Sequence, residues 1–304
     1  MEQITNIQES VLGTPERNYK DTLFRKIFGA EDKRSSRWRL ELYNALSGKN
    51  HTDSDELEIT TLENVIYIKM KNDVSFLVDS QMTLWEHQST LNPNMPLRGL
   101  FYFSLLYQKH LVKLKKDLFT TTLIKIPAPQ YIVFYNGNED AEDVTKYRLS
   151  DAFIDFHEPC DFEWTATMIN INKNHNETLH KKCKPLYDYC IFVDRIKNNI
   201  KNNMEKEAAI DEAIEWAIKQ NLLEGYIEEQ RAEVKAVILT DFDQEQYDRN
   251  RRREGFEEGA QQKAIEAAIN LLKMKKLSPN EIAQAQGLSL EKVLELQKQI
   301  PEKA

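Results

Sequence analysis

The chain has no window of 18 or more apolar residues, so we expect no membrane-spanning helix and no membrane partner. Residues 1–6 lack the basic and apolar regions of a secretory signal, so we also expect no leader peptide. The three cysteines are an odd number and lack the spacing of a disulfide framework. Together these absences predict a cytoplasmic protein with reduced thiols.

The chain also lacks an excess of positive charge. Lys and Arg number 41 against 49 Asp and Glu, which gives a formal net charge of −8. No global field therefore attracts nucleic acid, and binding to DNA or RNA would depend on local basic residues and a bound metal ion. With 304 residues, 41% hydrophobic and 30% charged, the composition suits a globular protein with a sizeable core and more than one domain.

The first half of the sequence predicts a mixed α/β core of about 150 residues. Helices are predicted from Thr14–Pro15 to Gly29, from about Ser36 to Gly48, and from Leu97 to Leu114. Strands are predicted over residues 65–70, in a hairpin before residue 90, and over residues 131–137.

The second half is predicted to be mainly helical. A short strand near residues 167–171 and a helix near 178–200 are followed by helical periodicity from Glu205 onward. The last two helix signals, at Ser278 and Ser289, resemble a helix-turn-helix. The predicted organisation is a core over residues 1–200, a helical extension over 201–254 and a helical tail over 255–304.

Two acidic residues are predicted to face each other across the hairpin. Two apolar, β-favouring runs meet at Asp79–Ser80, and folding the chain there places Asp73 opposite Glu86. Because side chains alternate, Asp73, Glu86 and Gln88 share one face of the hairpin. Asp79 would be an alternative first acid in another register, but it falls at the predicted turn.

The facing carboxylates have two interpretations. Cross-strand neighbours lie about 5 Å apart at Cβ, where two negative charges repel. A sheet tolerates them when a divalent cation lies between their oxygens, or when both side chains reach open water. A cation held there would support phosphodiester hydrolysis, because Mg²⁺ neutralises phosphate charge and activates water.

Five segments resemble the recombination-promoting nuclease (Rpn) family, also described as transposases, within the PD-(D/E)XK nuclease superfamily. They are Tyr19–Gly29, Asp73, Glu86–Thr90, Asn92–Tyr102 and Val133–Gly137. The resemblance extends over about residues 15–255. It implies an α/β fold with a PD-(D/E)XK nuclease-like mixed sheet flanked by helices, followed by an all-helical C-terminal region.

The resemblance also implies a metal-dependent DNA endonuclease linked to recombination or mobile elements. Asp73 and Glu86 would be the ligands of Mg²⁺, with Mn²⁺ as a substitute, and DNA would be the partner. Gln88 takes the position of the superfamily's lysine, which orients the attacking water. An amide can donate hydrogen bonds but carries no charge, so this chain would depend more on its metal.

Four residues on the flanking helices are secondary candidates. Asp21 would complete the metal site, while Lys26, Arg98 and Tyr102 would hold substrate phosphate, as arginine does with bidentate geometry. Arg98 in a surface salt bridge, and Asp21 as a structural residue near a helix start, are the alternatives.

Other basic segments and functions stay open. Arg249 and Arg251–Arg253 could touch DNA phosphate, although acidic neighbours favour a solvated, salt-bridged helix end. The tail has few cations for a DNA-reading helix and suits partner binding or a homodimer equally well.

The alternative function is a catalytically weak or inactive nuclease-fold protein that binds partners through its helical C-terminal region. RNA as substrate is a further alternative.

Overall fold

The computed structural model describes residues 19–60, 73–155, 161–274 and 276–299, with side chains except those of 241–258 and 299. The strand predicted at 65–70 and the helix start at Thr14–Pro15 lie outside these residues. The chain divides into two compact units, Met1–Phe242 and Asp243–Ala304. No described helix combines the length and apolarity needed to cross a bilayer. The three-part domain organisation stays a prediction.

Two helices open the first unit. Helix α1, Tyr19–Gly29, buries the apolar stripe that predicted it, including Phe24 and Phe28. Helix α2, Lys33–Ser47, begins three residues before the predicted Ser36. The Asp32 side chain accepts hydrogen bonds from the first backbone N–H groups and moves the start of the helix there.

A six-stranded mixed sheet forms the centre of this unit. Its strands are β1 (Glu58–Ile59), β2 (Val74–Val78), β3 (Gln81–Gln88), β4 (Ala128–Tyr135), β5 (Val144–Arg148) and β6 (Thr165–Asn170). Their order is β1-β2-β3-β4-β6-β5. Strands β3, β4 and β6 are parallel, and the other pairings are antiparallel.

The hairpin has the predicted register. Val74 pairs with Trp85 and Ser75 with Leu84. Asp79 and Ser80 connect the strands with φ angles of 48° and 60°. Positive φ at both central residues identifies a type I′ turn, whose twist matches that of the two strands. Asp79 therefore lies at the end of the hairpin opposite to Glu86.

The two faces of the sheet are covered by different helices. Trp85 and Phe134 point towards α1 and join a large apolar core. Leu84 and Val133 point the other way, into a second core that includes Phe103 of helix α3, Met95–Lys113. Glu86 shares the α3 face with Leu84, and His87 shares the α1 face with Trp85.

Several helices follow β6. They are α4 (Glu177–Lys182), α5 (Lys184–Lys201), α6 (Lys206–Lys219), α7 (Tyr226–Glu229) and α8 (Arg231–Met274). The helix predicted near 178–200 is confirmed over α4 and α5, but it is interrupted at Cys183, where φ is −133° and ψ is 93°. Pro185, which lacks an N–H, then occupies the first turn of α5, where no donor is needed.

The second unit contains the two predicted tail helices, α9 (Pro279–Gln286) and α10 (Leu290–Gln299). Ser278 and Glu281 form the predicted capping box, and Gly287 ends α9 in the left-handed region with φ of 65°. Ile282 and Val293 pack with Leu272 in a small apolar core. The stretch is a helix pair with its own core.

Candidate active site

The predicted acids lie at the edge of the sheet where the parallel strands end, which we call the carboxyl edge. Glu86 and Gln88 are near the end of β3, and Tyr135 ends the neighbouring parallel strand. Asp73 directly precedes antiparallel β2 and so comes to the same edge. Ligands of open α/β sheets bind preferentially outside the carboxyl ends of parallel strands.

Glu86 is almost completely buried, with 1% of its surface exposed. Tyr131 donates its hydroxyl hydrogen to Oε2 at 2.7 Å, and Arg98 Nη2 lies 3.2 Å from the same oxygen. Burial alone would lower the pKa of Arg98, but the Glu86 charge raises it above its usual value. Burial, reinforced by that charge, raises the pKa of Tyr131. The Glu86 carboxylate is therefore held by a guanidinium group and a phenol.

Asp73 is influenced by the negative charges of two other acids. Its Oδ2 accepts a hydrogen bond from the backbone N–H of His87 at 2.8 Å. Burial raises the pKa of Asp73 well above its usual value, and the negative charges of Asp21 and Glu86 raise it further. The hydrogen bond and the nearby Arg25 oppose that shift only partly. Negative charge is thus concentrated around Asp73.

His87 connects Asp21 to the core on the α1 face. Its Nδ1 lies 2.6 Å from Asp21 Oδ1, and its Nε2 lies 2.9 Å from the Tyr189 hydroxyl oxygen. Burial, together with the charges of Lys20 and Lys197, lowers the pKa of His87 well below its usual value. Tyr189 donates its hydroxyl hydrogen to the Lys20 carbonyl oxygen at 3.1 Å. On the other side of the imidazole ring, His87 Nδ1 contacts Asp21. This contact fixes the orientation of Asp21.

Two lysine ammonium groups meet at the carboxyl edge, on the residue that follows β4. Lys20 and Lys197 each donate to the Asn136 carbonyl oxygen at 3.2 Å, and Lys197 also donates to Asn136 Oδ1 at 2.6 Å. The Asn136 N–H in turn donates to the Gln88 carbonyl oxygen at 2.9 Å. Burial and the neighbouring Lys20 lower the pKa of Lys197 to about 7.

Of the remaining predicted residues, Gln88 and Tyr102 lie at the carboxyl edge, whereas Lys26 contacts α8. Gln88 is half-buried at the last position of β3. Tyr102 is buried beside Arg98, whose Nη2 lies 3.4 Å from its hydroxyl oxygen. Lys26 forms an ion pair with Glu233 of α8. The structure therefore brings together Asp21, Asp73, Glu86, Arg98 and Tyr102, while Lys26 is engaged with another helix.

The donor set suits a small, hard cation held by two carboxylates. Across the described residues, no three His, Cys, Asp or Glu side chains are placed to hold a metal ion. Mg²⁺ usually keeps several waters and takes only one or two protein carboxylates. Asp73 and Glu86 are the two acids at this edge that could hold such an ion, which would relieve the repulsion that adds to the effect of burial on the pKa of Asp73.

Sequence reasoning missed several residues of this edge. Tyr131 contacts Glu86 only because β4 pairs with β3 in one register, with Tyr131 beside Leu84. Lys197 is far along the chain, on α5. Among these residues, only the position of His87 could be inferred from the sequence, because strand alternation places its side chain on the face of the sheet opposite to Glu86.

The chain was compared with protein-family models, curated proteins and solved structures. No family model, no curated protein and no solved structure matches it.

Proposed function

We propose that the protein is a metal-dependent DNA endonuclease of the PD-(D/E)XK type, with its active site at the carboxyl edge. One observation carries the proposal: the hairpin register and the parallel pairing of β3 with β4 bring Asp73 and Glu86 to the same carboxyl edge of the sheet. Acids gathered at the ligand-binding edge of a mixed sheet are stabilised by a bound cation. The resemblance of Asp73 and Glu86-His-Gln88 to the Rpn family supports the same function.

In this proposal Asp73 and Glu86 would hold Mg²⁺ or Mn²⁺, which would supply charge neutralisation at the phosphate and activation of water. Asp21, oriented by His87, adds negative charge beside Asp73 and strengthens cation binding. Gln88 donates hydrogen bonds from its amide to the attacking water or to a phosphate oxygen. Lys20 places positive charge at the same edge, where the superfamily's lysine charge is missing, and Lys197 adds to it below its lowered pKa of about 7.

Arg98 has a specific part in this proposal. It is paired with Glu86, yet 32% of its side chain is exposed. A cation held by Glu86 would weaken the attraction of Arg98 to that carboxylate and make Arg98 available to a DNA phosphate. Arg98, supported by the buried Tyr102 beside it, would then bind the DNA backbone, which positions a duplex without reading its sequence.

One observation favours the alternative, a catalytically inactive nuclease-fold protein that binds partners through its helical C-terminal region. Arg98 and Tyr131 already satisfy the buried Glu86 carboxylate. A metal would have to displace an existing cation. The two functions differ in whether a divalent ion competes successfully with Arg98.

Incubation of the full chain with supercoiled plasmid separates the two functions. In Mg²⁺ or Mn²⁺ the nuclease converts plasmid to the nicked form, and Asp73→Asn and Glu86→Gln abolish this conversion. The controls Asp55→Asn and Glu228→Gln make the same chemical changes at exposed positions and should retain wild-type nicking. Intact plasmid with the wild type at every metal and pH would contradict the nuclease proposal.

A parallel digestion identifies the substrate class, because the same metal chemistry can cleave both backbones. End-labelled DNA and RNA of the same sequence are incubated with wild type and Asp73→Asn. Cleavage of DNA alone supports the proposal. Cleavage confined to RNA would replace DNA by RNA as the substrate.

A further inference from the structure

A stretch of twelve consecutive exposed residues, 112–123, begins in the last two residues of α3 and continues beyond the helix. Four large apolar side chains in it are almost fully accessible: Phe119 is 97%, Leu123 83%, Val112 77% and Leu118 71% exposed. Large apolar groups on soluble surfaces usually keep much of their surface against neighbours. A cluster of them this exposed marks an interaction site.

The segment has a defined backbone. Helix α3 ends where Lys115 takes a left-handed conformation with φ of 52°, and the Lys116 N–H donates to the Leu111 carbonyl oxygen at 3.0 Å. The Asp117 carboxylate then accepts from the Phe119 N–H at 3.0 Å. At the end of the segment, Tyr107 donates to the Pro127 carbonyl oxygen at 2.8 Å. The apolar side chains thus project from a fixed loop.

Lysines surround these apolar side chains. Residues 112–126, which we call the 112–126 surface, contain four lysines, one aspartate and no arginine, in a chain whose net charge is −8. Lys113 is paired with Glu58 at 2.5 Å. In the part of the chain that is described, Lys115, Lys116 and Lys125 form no ion pair. Lys115 and Lys116 therefore present positive charge beside the apolar tips, whereas Lys125 lines a pocket shared with Glu56, Glu58 and Asp79.

The composition of the surface favours a lipid bilayer over other anionic partners. Protein interfaces are enriched in arginine and aromatic residues and depleted in lysine, whereas here lysine and aliphatic residues dominate. Single-stranded nucleic acids are bound by stacking on aromatic side chains, and only Phe119 could stack. Apolar tips between lysines match a surface that inserts into the headgroup region of an anionic membrane.

We propose that the 112–126 surface docks the protein on anionic lipid bilayers, with Phe119 and Leu123 entering the interface and the lysines contacting headgroup phosphates. This is peripheral binding without a membrane-spanning helix, and it departs from the expectation of no membrane partner that the lack of an apolar span suggested. The proposal is independent of the nuclease function. The surface follows the C-terminal end of α3, about 22 Å along the helix from Arg98, so docking leaves the carboxyl edge accessible.

Sedimentation of the full chain with vesicles tests this proposal. Vesicles of phosphatidylcholine alone are compared with vesicles containing about one third phosphatidylserine, at about 0.1 M and about 0.5 M salt. The wild type should sediment with the anionic vesicles at low salt and be released at high salt. Lys115→Gln with Lys116→Gln should weaken binding roughly 25-fold, about fivefold per lysine. Phe119→Ser with Leu123→Ser should weaken it roughly tenfold or more.

Two matched controls make the same changes outside the surface. Lys181→Gln with Lys182→Gln, and Ile154→Ser at a fully exposed position, should retain wild-type vesicle binding. Plasmid nicking by the 112–126 variants should also be unchanged. Three results would overturn the proposal: no sedimentation of the wild type with anionic vesicles, equal binding by the 112–126 variants, or release of the bound protein by short DNA duplexes. Concentration-dependent dimerisation of the wild type that Phe119→Ser and Leu123→Ser abolish, without vesicle binding, would assign the surface to a second copy.

Discussion

Replacing Asp73 by asparagine is expected to stabilise the metal-free protein while abolishing its activity. The amide keeps an oxygen that can accept the hydrogen bond from the His87 N–H. It removes the negative charge that Asp21 and Glu86 oppose. Sites built to bind a ligand often lower the stability of the free protein, and a gain in stability here would reveal such a site.

The size of the gain follows from Coulomb's law. Two unit charges about 6 Å apart repel by about 3 kcal/mol at an effective dielectric constant of about 20. Asp73 is only half-buried, so solvent screens part of this repulsion, and we expect a gain on the order of 1 kcal/mol. In a unit of this size such a gain raises the Tm by about 2–4 °C.

The gain should depend on pH. Because the pKa of Asp73 is raised in the folded state, that state binds more protons than the unfolded chain above about pH 4. This contribution destabilises the wild type increasingly as pH rises from about 4 towards the raised pKa. The advantage of Asp73→Asn should therefore be absent below about pH 4 and grow above it.

Thermal unfolding in EDTA, followed by far-ultraviolet circular dichroism between pH 4 and 8, measures this difference. Asp55→Asn, an exposed acid at a 3₁₀ turn, is the control and should follow the wild type at each pH. A lower Tm for Asp73→Asn at pH 7, or a difference that does not change with pH, would refute the argument that Asp73 is repelled by its neighbours.

Three further predictions concern stability. Glu86→Gln should lower the free energy of unfolding, measured in urea, by on the order of 3 kcal/mol, because Arg98 loses its partner. Adding Arg98→Met to this variant should restore part of the lost stability. Additive effects of the two substitutions would contradict the pairing of Glu86 with Arg98. In the wild type, the free energy of unfolding should rise between about pH 7 and 10.5, by up to about 1.4 kcal/mol per pH unit, because Lys197 loses its proton in the folded state while it stays protonated in the unfolded chain. Lys197→Met should remove this rise. Identical slopes of ΔG against pH for wild type and variant would contradict the lowered pKa of Lys197. Ser80→Gly should stabilise the hairpin by about 0.5 kcal/mol in thermal unfolding, because glycine adopts a φ of 60° without strain, and a lower Tm would argue against the type I′ turn.

The sequence was sufficient to predict the hairpin that positions the acids. Asp79–Ser80 divides two β-favouring runs, and period-two alternation then determines which side chains share a face. The pairing of Val74 with Trp85 follows from those local signals alone. Helix α1 was equally predictable from its apolar spacing.

The surroundings of those acids could not be predicted in the same way. Tyr131 and Arg98 reach Glu86 only after β4 has paired in parallel with β3 and α3 has packed across that face. The meeting of Lys20 with Lys197 joins the first described helix to α5, and no local pattern encodes that contact. Strand β5 was not predicted, because its five residues are half-buried or exposed and give no apolar run.

Calorimetric titration of Mn²⁺ into the metal-free full chain tests the central claim most directly, since it measures the proposed site without requiring a substrate. The nuclease proposal predicts saturable binding by the wild type. It also predicts loss of binding in Asp73→Asn and Glu86→Gln, and unchanged binding in Asp55→Asn and Glu228→Gln. No heat of binding to the wild type, or equal binding by all five proteins, would contradict a metal site built on Asp73 and Glu86.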